Sequence, residues 1–470
     1  MDTFMMERGY FTPNDVGIQA ESDSLSIQNA VDAALKTGLG RVVIPRYNKR
    51  TGRCQWDVDQ AIILDSNLEI VLDNCYIRQM DGSMDNVFRN FHSGQLKKTL
   101  AEEQHDIIIR GIGNAVIDGG NHNGLTETTS NKNGMPHIFR NNMIFLHNVR
   151  DFVLENFALK NQRHWAIHLC FAEKGLISGL DITCESKVQN LDGVDLRVGC
   201  NNIVIQNLTG QAGDDFIALT GLLSQRVREA YQVEGKSVDI HDVVIQNIMA
   251  TSAECTLIAL RNHDGVKIYN ITVDNIHDVM TSVEGSKEGV FAFDFDLNPY
   301  PYPKSPYAIM RIGHDLFCST KPCGPGDVYG IHVSNLHARC NNVLILNMDI
   351  EDSYFGNIYA DNAVDCVISA RSERSEHPFG VDMRNVVFEN IFYHCKDNSN
   401  GVAFDFGKNT KTCLLENVQI RNAYVGNCPK VLVMEHQGSL ELNGIHGTDV
   451  KERICVTTDA EIVLDGQRIS

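Results

Sequence analysis

Three aspartates within one stretch of the chain have the types and spacing needed to cleave a glycosidic bond. Asp192 lies in the block NLDG at 190–193, and Asp214 and Asp215 end the block GDD at 213–215. Asp192 and Asp215 are 23 residues apart. Carboxylates held close together raise the pKa of at least one of them, so an acid and a base coexist at one pH. Glycoside hydrolysis needs both, because the acid protonates the leaving oxygen and the base activates water.

The Asp-Asp pair has a second interpretation, since Gly-Asp-Asp also occurs in solvated turns. Consecutive side chains of a regular strand face opposite sides of the sheet. Both aspartates serve one site only if the backbone bends there, and Gly213 permits such a bend. On spacing alone, a catalytic site and a solvated turn therefore both remain open.

The elements before this stretch are one helix and then short strands. Residues 23–38 predict an amphipathic helix that Ser24 or Asp23 caps and Gly38 ends. Runs rich in β-branched residues follow at 41–45, 61–65 and 68–77. This layout is typical of an N-terminal cap region, here 1–45, whose helix covers the open end of a strand stack.

Alternating apolar strands of the form V-x-I-x-N recur from residue 106 onward. The interval is 23 residues from Asn247 to Asn270 and 22 from Asn335 to Asn357. A period of this length built only of short strands is typical of a β-solenoid. We expect Asn207, Asn247 and Asn270 to be structural, because asparagine suits tight turns and its side chains form ladders.

The predicted fold is therefore all-β, a right-handed parallel β-helix. We expect one domain over 1–470, with insertions at about 222–238 and 280–310. Coils stack as parallel strands about 4.8 Å apart. This stacking places Asp192 one coil away from Asp214 and Asp215.

Composition excludes several partners. The chain has 41 basic and 60 acidic side chains and a net charge of −19, which disfavours nucleic acid and anionic membranes. The first thirty residues show no signal-peptide pattern, and the fourteen cysteines show no zinc-type spacing. We expect reduced thiols, a cytoplasmic location, no metal and no other cofactor. An oligomer is compatible with the sequence but not indicated.

Residues 148–219 resemble the central coils of the polygalacturonase-type glycoside hydrolases, glycoside hydrolase family twenty-eight. The resemblance rests on NVRDFVLENFALKN, HWAIH, NLDGVD and GDDFIAL, in that order. It implies an inverting hydrolase in which Asp214 is the general acid, while Asp192 and Asp215 position and deprotonate water. Asn190 would support these carboxylates by hydrogen bonding.

Two blocks depart from the family pattern. Where the family has Gly-His-Gly, this chain has Glu254-Cys255-Thr256, so Cys255 lies near the place of the histidine. Where the family has Arg-x-Lys, this chain keeps Arg311 but has Gly313 near the place of the lysine. That arginine and lysine hold the sugar carboxylate, so the change bears on galacturonate specificity more than on hydrolysis. A neutral or differently charged glycoside is also compatible.

Other polar residues give weaker indications. Arg261 and His263 follow a strand and are candidate substrate contacts, although a solvated loop is an equal alternative. Trp165 could stack on a sugar, but core packing is the better interpretation, and we expect His168 to be interior, on the same strand face as His164. Asp294 and Asp296 share a strand face but lack calcium-loop spacing.

The function predicted from the sequence is a glycosidase that acts on pectin-derived or related oligosaccharides, with exo action suggested by the insertions. Two alternatives remain. A polysaccharide lyase or other β-helix enzyme would need a group that neutralises a uronate, which an aspartate triad supplies poorly. A non-catalytic carbohydrate-binding solenoid would explain the departures around Cys255.

Overall fold

The computed structural model describes most of the chain, and every structural statement below refers to this part. The described residues are 7–90, 102–127, 129–131, 137–184, 188, 190–252, 255–279, 308–313, 323–340, 342–361, 366–370, 381–395, 401–407, 413–450, 452–456 and 459–469. They divide into two compact units. The first contains the described residues up to Asp214 and also Val227–Ser237, and the second contains Asp215–Arg226 and the described residues from Val238 onward.

The first unit contains one long helix and fourteen strands among its described residues. They are α1 (Asp23–Thr37), β1 (Arg41–Pro45), β2 (Trp56–Val58), β3 (Ile62–Ile63), β4 (Leu68–Asp73), β5 (Tyr76–Gln79), β6 (Phe88–Arg89), β7 (Gln104–Ile112), β8 (Val116–Asp118), a 3-10 helix (Ile138–Asn141), β9 (Ile144–Glu155), β10 (Ala158–Lys160), β11 (Ile167–Ser178), β12 (Asp181–Thr183), β13 (Val194–Arg197) and β14 (Asn201–Ala212).

The remaining elements begin with β15 (Ile217–Leu222) and a short helix α2 (Gln225–Tyr231), whose residues from Val227 onward belong to the first unit. The strands that follow are β16 (Ile240–Ser252), β17 (Thr256–His263), β18 (Ile268–Asp278), β19 (Ala308–Ile312), β20 (Val328–Ala338), β21 (Asn342–Leu346), β22 (Ile350–Asp361), β23 (Cys366–Ser369), β24 (Met383–His394), β25 (Val402–Phe406), β26 (Leu414–Gly426), β27 (Lys430–Met434), β28 (Gln437–Thr448), β29 (Glu452–Val456), β30 (Glu461–Leu464) and β31 (Gln467–Arg468).

The N-terminal helix α1 forms where the sequence predicts it, but its cap is one residue earlier than expected. The Oγ of Ser22 accepts a hydrogen bond from the amide of Leu25, so Ser22 is the N-cap, not Asp23 or Ser24. The Asp23 carboxylate is instead buried and paired with Arg50. At the other end, Gly38 adopts φ 73° and closes the helix as predicted.

Parallel pairing between successive coils builds each unit. In the first unit, Phe145 of β9 lies beside His168 of β11, and His168 lies beside Asp195 of β13. In the second, Ile217 of β15 pairs with Ile258 of β17, which pairs with Met310 of β19. The inward residues are almost all apolar and fully buried, which supplies the hydrophobic stabilisation of the stack. The fold is a right-handed parallel β-helix, as the sequence predicts.

The asparagine ladder corrects one detail of the predicted repeat. Asn275 donates to Asn247 at 2.8 Å, and Asn270 donates to Asp242 at 3.1 Å. The partner of Asn247 is therefore Asn275, and that coil is 28 residues long, not 23. Asn335 and Asn357 are partners, 22 residues apart, as predicted.

These turn positions have a structural role, as expected. Asn207, Asn247 and Asn270 all have φ between 55° and 57°. Asparagine tolerates this left-handed conformation better than most residues because its short amide bonds locally.

Thirteen cysteines lie among the described residues, and all are free. Nine of them are buried and only Cys54 is exposed, so most act as small core side chains. Within the described residues, no helix has the length and apolarity that would let it cross a membrane. The prediction of a single domain over 1–470 stays a prediction.

Candidate active site

The NLDG block and the first two residues of the GDD block belong to the first unit, where they lie on neighbouring coils and contact each other. The amide of Asn190 donates to Oδ2 of Asp214 at 3.0 Å, and the amide of Gly213 donates to the carbonyl of Leu191 at 3.0 Å. Asn190 adopts φ 61°, a conformation that asparagine tolerates. The support that the resemblance assigns to Asn190 thus comes from its backbone.

In the same coil as Asn190, backbone hydrogen bonds hold Asp192 in place. Its carbonyl accepts hydrogen bonds from the amide of Ala166 at 3.0 Å and from Nε2 of Gln162 at 3.3 Å. Asp192 is 3% exposed, whereas Asp214 is half-buried. A nearly buried carboxylate and a more accessible one therefore lie on adjacent coils of this unit.

Asp215 is held by the first residues of β17 in the second unit. Its side chain is fully buried. Oδ1 accepts from the amide of Thr256 at 3.1 Å and from its hydroxyl at 2.6 Å, and Oδ2 is paired with the guanidinium of Arg261. The Arg261 guanidinium also donates to Sγ of Cys255 at 3.7 Å. Cys255 and Asp215 are themselves close, with Sγ and a carboxylate oxygen within 4.8 Å.

These contacts set the charge of Asp215. Burial is the largest influence and raises its pKa, but the charge of Arg261 and the hydrogen bonds from Cys255 and Thr256 lower it further than burial raises it. The net result is a pKa below that of an ordinary aspartate. Asp215 is therefore an ionised, buried carboxylate, which is the state that a base or a water-positioning group requires.

The other candidate substrate contacts lie on nearby strands of the second unit. The guanidinium of Arg261 is paired with the Asp215 carboxylate. Arg261 is also a candidate contact for the sugar. His263 ends β17 and is fully buried. Arg311 of β19 pairs in register with Ala259 and is 8% exposed. For all three, direct contact with substrate stays a prediction.

The backbone at Gly313 does not accommodate the lysine of the family pattern. Its φ is 109°, a conformation that residues with a side chain rarely adopt. A Cβ at this position would lie 2.7 Å from Cγ of Met348 and 2.9 Å from the carbonyl carbon of Asn347. The local backbone therefore excludes a lysine there unless it rearranges.

A buried aromatic and histidine cluster lies on the first unit. Nδ2 of Asn142 donates to Nδ1 of His168, and Nδ1 of His164 donates to Oδ1 of Asn142, both at 2.7 Å. Trp165 is 8% exposed and its ring lies 5.4 Å from both the Phe139 ring and the Arg197 guanidinium carbon. Core packing of Trp165 is thus confirmed.

His168 is interior, as predicted. It is fully buried and stacks on Phe145 with ring centroids 3.9 Å apart. Burial, followed by the charge of Arg197, holds its pKa well below the usual value, so the imidazole is neutral. It therefore supplies no charge to the site.

The insertion at 222–238 covers part of this cluster. It contains α2, and the Tyr231 carbonyl accepts from Nε2 of His147 at 2.8 Å. The Tyr231 ring lies 5.8 Å from Phe145. Most of the second predicted insertion, with Asp294 and Asp296, lies outside the described residues, as does Glu254.

Two residues that make side-chain hydrogen bonds in these clusters, Thr256 and Asn142, were not identified from the sequence. Thr256 follows Cys255 directly, and only the register of β15 with β17, across an insertion, places it against Asp215. Asn142 precedes β9 and connects two histidines of the following coil. Neither residue has a motif around it that would identify it.

The comparisons with known proteins concern the fold and the family. Residues 90–228 match the sequence profile of glycosyl hydrolases family 28. This segment includes Asp192, Asp214 and Asp215 but ends before Cys255 and Arg261, and it is less than half of the chain. No curated protein matches the chain.

Among the solved structures that are similar in fold, two illustrate the likeness. The polygalacturonase from Erwinia carotovora ssp. carotovora is 13% identical, with 94% of each chain covered and a TM-score of 0.51. A tailspike protein double mutant of E. coli bacteriophage HK620, in complex with a pentasaccharide, is also 13% identical. In that case the alignment covers 98% of this chain and 79% of the other, with a TM-score of 0.51. At such identity the likeness shows the fold alone.

The class that the fold defines is the parallel β-helix proteins. Within that class, the chain resembles the polygalacturonase-type glycoside hydrolases, and the profile match supports a glycoside hydrolase.

Proposed function

We propose that this protein hydrolyses O-glycosidic bonds of pectin-derived or related oligosaccharides by an inverting acid/base mechanism. The observation that carries the proposal is the hydrogen bond from the Asn190 amide to Asp214. It joins the NLDG and GDD blocks on neighbouring coils, which is the relationship that a shared carboxylate site requires. The family profile covers both blocks.

Asp214 is the proposed general acid. It is the half-buried member of the set, so its carboxyl group is accessible to a glycosidic oxygen. Its Oδ2 accepts from the Asn190 amide, which fixes the orientation of the carboxyl group that donates the proton.

Asp215 and Asp192 are the proposed groups that position and deprotonate water. The low pKa of Asp215, which follows from Arg261, Cys255 and Thr256 in spite of burial, keeps it ionised. An ionised carboxylate accepts a hydrogen bond from water and orients its lone pair toward the anomeric carbon. Inversion follows because this water attacks the face opposite to the leaving group.

Arg311 is the proposed contact for a sugar carboxylate. An arginine alone binds a carboxylate bidentately, so loss of the lysine weakens uronate recognition without removing it. Neutral or differently charged glycosides are therefore included among the proposed substrates. The cytoplasmic location stays a prediction.

Exo action is proposed from the insertion that holds α2. Tyr231 of this insertion contacts Phe145 and His147. The insertion therefore covers part of the strands that precede β13 in the first unit. A wall beside the cleft favours binding of a chain end over the middle of a polymer.

The test is a time course of hydrolysis followed by proton NMR. An inverting enzyme releases the product first as the anomer opposite to that of the substrate, before mutarotation mixes the two. Release of the retained anomer would exclude the inverting mechanism, and an unsaturated product that absorbs in the ultraviolet would identify a lyase. A terminal monosaccharide as the first product supports exo action, and a ladder of oligomers excludes it.

A further inference from the structure

A cavity of about 550 Å³ lies in the first unit, outside the carboxylate site. Its volume is within the range of about 300–1,000 Å³ typical of small-molecule sites. The lining residues that matter for recognition are two arginines, one tyrosine and three amides: Arg46, Arg78, Tyr76, Gln55, Asn74 and Asn114.

This cavity lies several coils before the aspartate blocks. β2 pairs with β5, and the same stack continues through β8, β10 and β12 to β14, which ends just before Gly213. At about 4.8 Å per coil, the four steps from β5 to β14 place the cavity about 19 Å from this block. Trp56 and Ile77 are fully buried in β2 and β5, so the alternate residues Tyr76 and Arg78 face outward. A ligand of the cavity therefore binds apart from Asp192 and Asp214.

The charge of the lining favours an anion. The lining has two guanidinium groups and no carboxylate, although the whole chain carries a net charge of −19. Arg78 is paired with Asp81 at 2.7 Å. Arg46 is exposed and has no hydrogen bond or ion pair to any residue that the structure describes. Its guanidinium is thus available for a bidentate contact with a carboxylate.

The remaining lining groups suit a sugar. Tyr76 donates its hydroxyl hydrogen bond to Asp118, and burial together with this contact raises its pKa to about 12, so the phenol stays neutral. Its ring offers a face on which the C–H groups of a pyranose can pack. Asn74 is fixed by the amide of Asn114 at 3.1 Å. The Gln55 and Asn114 amides can bond sugar hydroxyls.

We infer that this cavity is an accessory binding site for a carboxylated sugar unit of an acidic oligosaccharide. The ligand class rests on the proposed function, but binding is separate from turnover. The site would hold uronate residues of a chain away from the aspartates and so increase the local concentration of substrate.

Cys54 provides the readout, because it also lines the cavity and is the only exposed thiol among the described cysteines. The rate of its reaction with a chromogenic disulfide reagent is measured on full-length Asp214→Asn protein, with Cys54→Ser identifying the signal. We expect trigalacturonate to slow the reaction several-fold in a saturable manner. A neutral galactotriose and inorganic phosphate, at equal concentration, should have little effect.

Two variants test the role of the guanidinium. Arg46→Gln should weaken the protective affinity of trigalacturonate at least about tenfold, whereas Arg421→Gln, an exposed arginine of the second unit, should leave it unchanged. Arg421→Gln should also keep the wild-type kcat on short substrates. Equal protection by galactotriose or by phosphate, or protection that survives Arg46→Gln, overturns the assignment.

The two proposals fail separately. If the protein hydrolyses a substrate but trigalacturonate does not protect Cys54, the accessory site is excluded and the proposed function stands. If trigalacturonate protects Cys54 but the wild type hydrolyses no substrate, the accessory site stands and the proposed enzyme activity is excluded.

Discussion

The guanidinium of Arg261 is paired with the fully buried carboxylate of Asp215, forty-six residues earlier in the chain. The same guanidinium reaches Sγ of Cys255, which lies near the position where the polygalacturonase-type pattern has a histidine. A cation and a thiol thus support this carboxylate where the family pattern places an imidazole. Because an arginine stays protonated at all physiological pH values, the support does not titrate as a histidine would.

Replacing Arg261 should shift the pH dependence of hydrolysis. In Arg261→Gln, burial still raises the pKa of Asp215 but the main opposing charge is gone, so the pKa rises. We expect the acid limb of the kcat/KM profile to move to higher pH, with activity partly recovered as pH increases. The measurement is a pH–rate profile beside that of Arg421→Gln. An unchanged acid limb would show that Asp215 ionisation does not control the rate.

The same substitution should reduce stability. Asp215 has a lowered folded-state pKa, so its ionisation contributes stability above the pKa of an unfolded aspartate, and this contribution is lost as pH falls through the folded pKa. Removing one partner of a buried ion pair costs about 3–5 kcal/mol. Urea unfolding at pH 7 should show such a loss for Arg261→Gln. A loss below 1 kcal/mol would show that the ion pair of Arg261 and Asp215 contributes little to the stability of the folded protein.

Thr256 should matter through its hydroxyl group. Thr256→Val keeps the shape but removes a donor at 2.6 Å from a buried carboxylate, which costs about 1–3 kcal/mol. The pKa of Asp215 should also rise, so activity at acid pH should fall more than activity at neutral pH. Thr256→Ser is the matched control because it keeps the hydroxyl. If the serine variant is as impaired as the valine variant, packing and not the hydrogen bond is responsible.

Restoring the missing lysine alone should not restore galacturonate specificity. Gly313→Lys requires a side chain at φ 109° and a Cβ within 2.9 Å of two neighbours, so we expect destabilisation of about 1–3 kcal/mol. Gly324→Lys is the control, since a Cβ there meets nothing within 4 Å. The readouts are urea unfolding and the ratio of kcat/KM for galacturonide and galactoside. A stable Gly313→Lys variant with a higher galacturonide preference would contradict this account.

Patterns of period two and of about one coil in length are visible in the sequence, and these predict the β-helix. The exact coil length is less accessible, because Asn and Asp both occupy the left-handed turn positions. Asp242 takes the position equivalent to Asn270, so the sequence suggests a ladder from Asn247 to Asn270 that the structure replaces with Asn247 to Asn275.

The candidate site likewise has a part that the sequence predicts and a part that it does not. The blocks around Asp192 and Asp214 are local in sequence and could be predicted as neighbours. The ion pair of Arg261 could not, because its strand register with β15 spans the insertion at 222–238 and depends on a 41-residue offset. Sequence patterns do not show which strand register the chain adopts after an insertion.

The central claim is that Asp214 acts as the general acid of a glycosidase. The most direct test compares wild type with Asp214→Asn on short oligosaccharides and aryl glycosides, including galacturonides and rhamnosides. We predict hydrolysis of at least one substrate by the wild type and a loss of about 10²–10⁴-fold in the variant. Aryl glycosides with good leaving groups should lose less, because they need little protonation. Equal rates in the two proteins, or no hydrolysis of any substrate by the wild type, would contradict the claim.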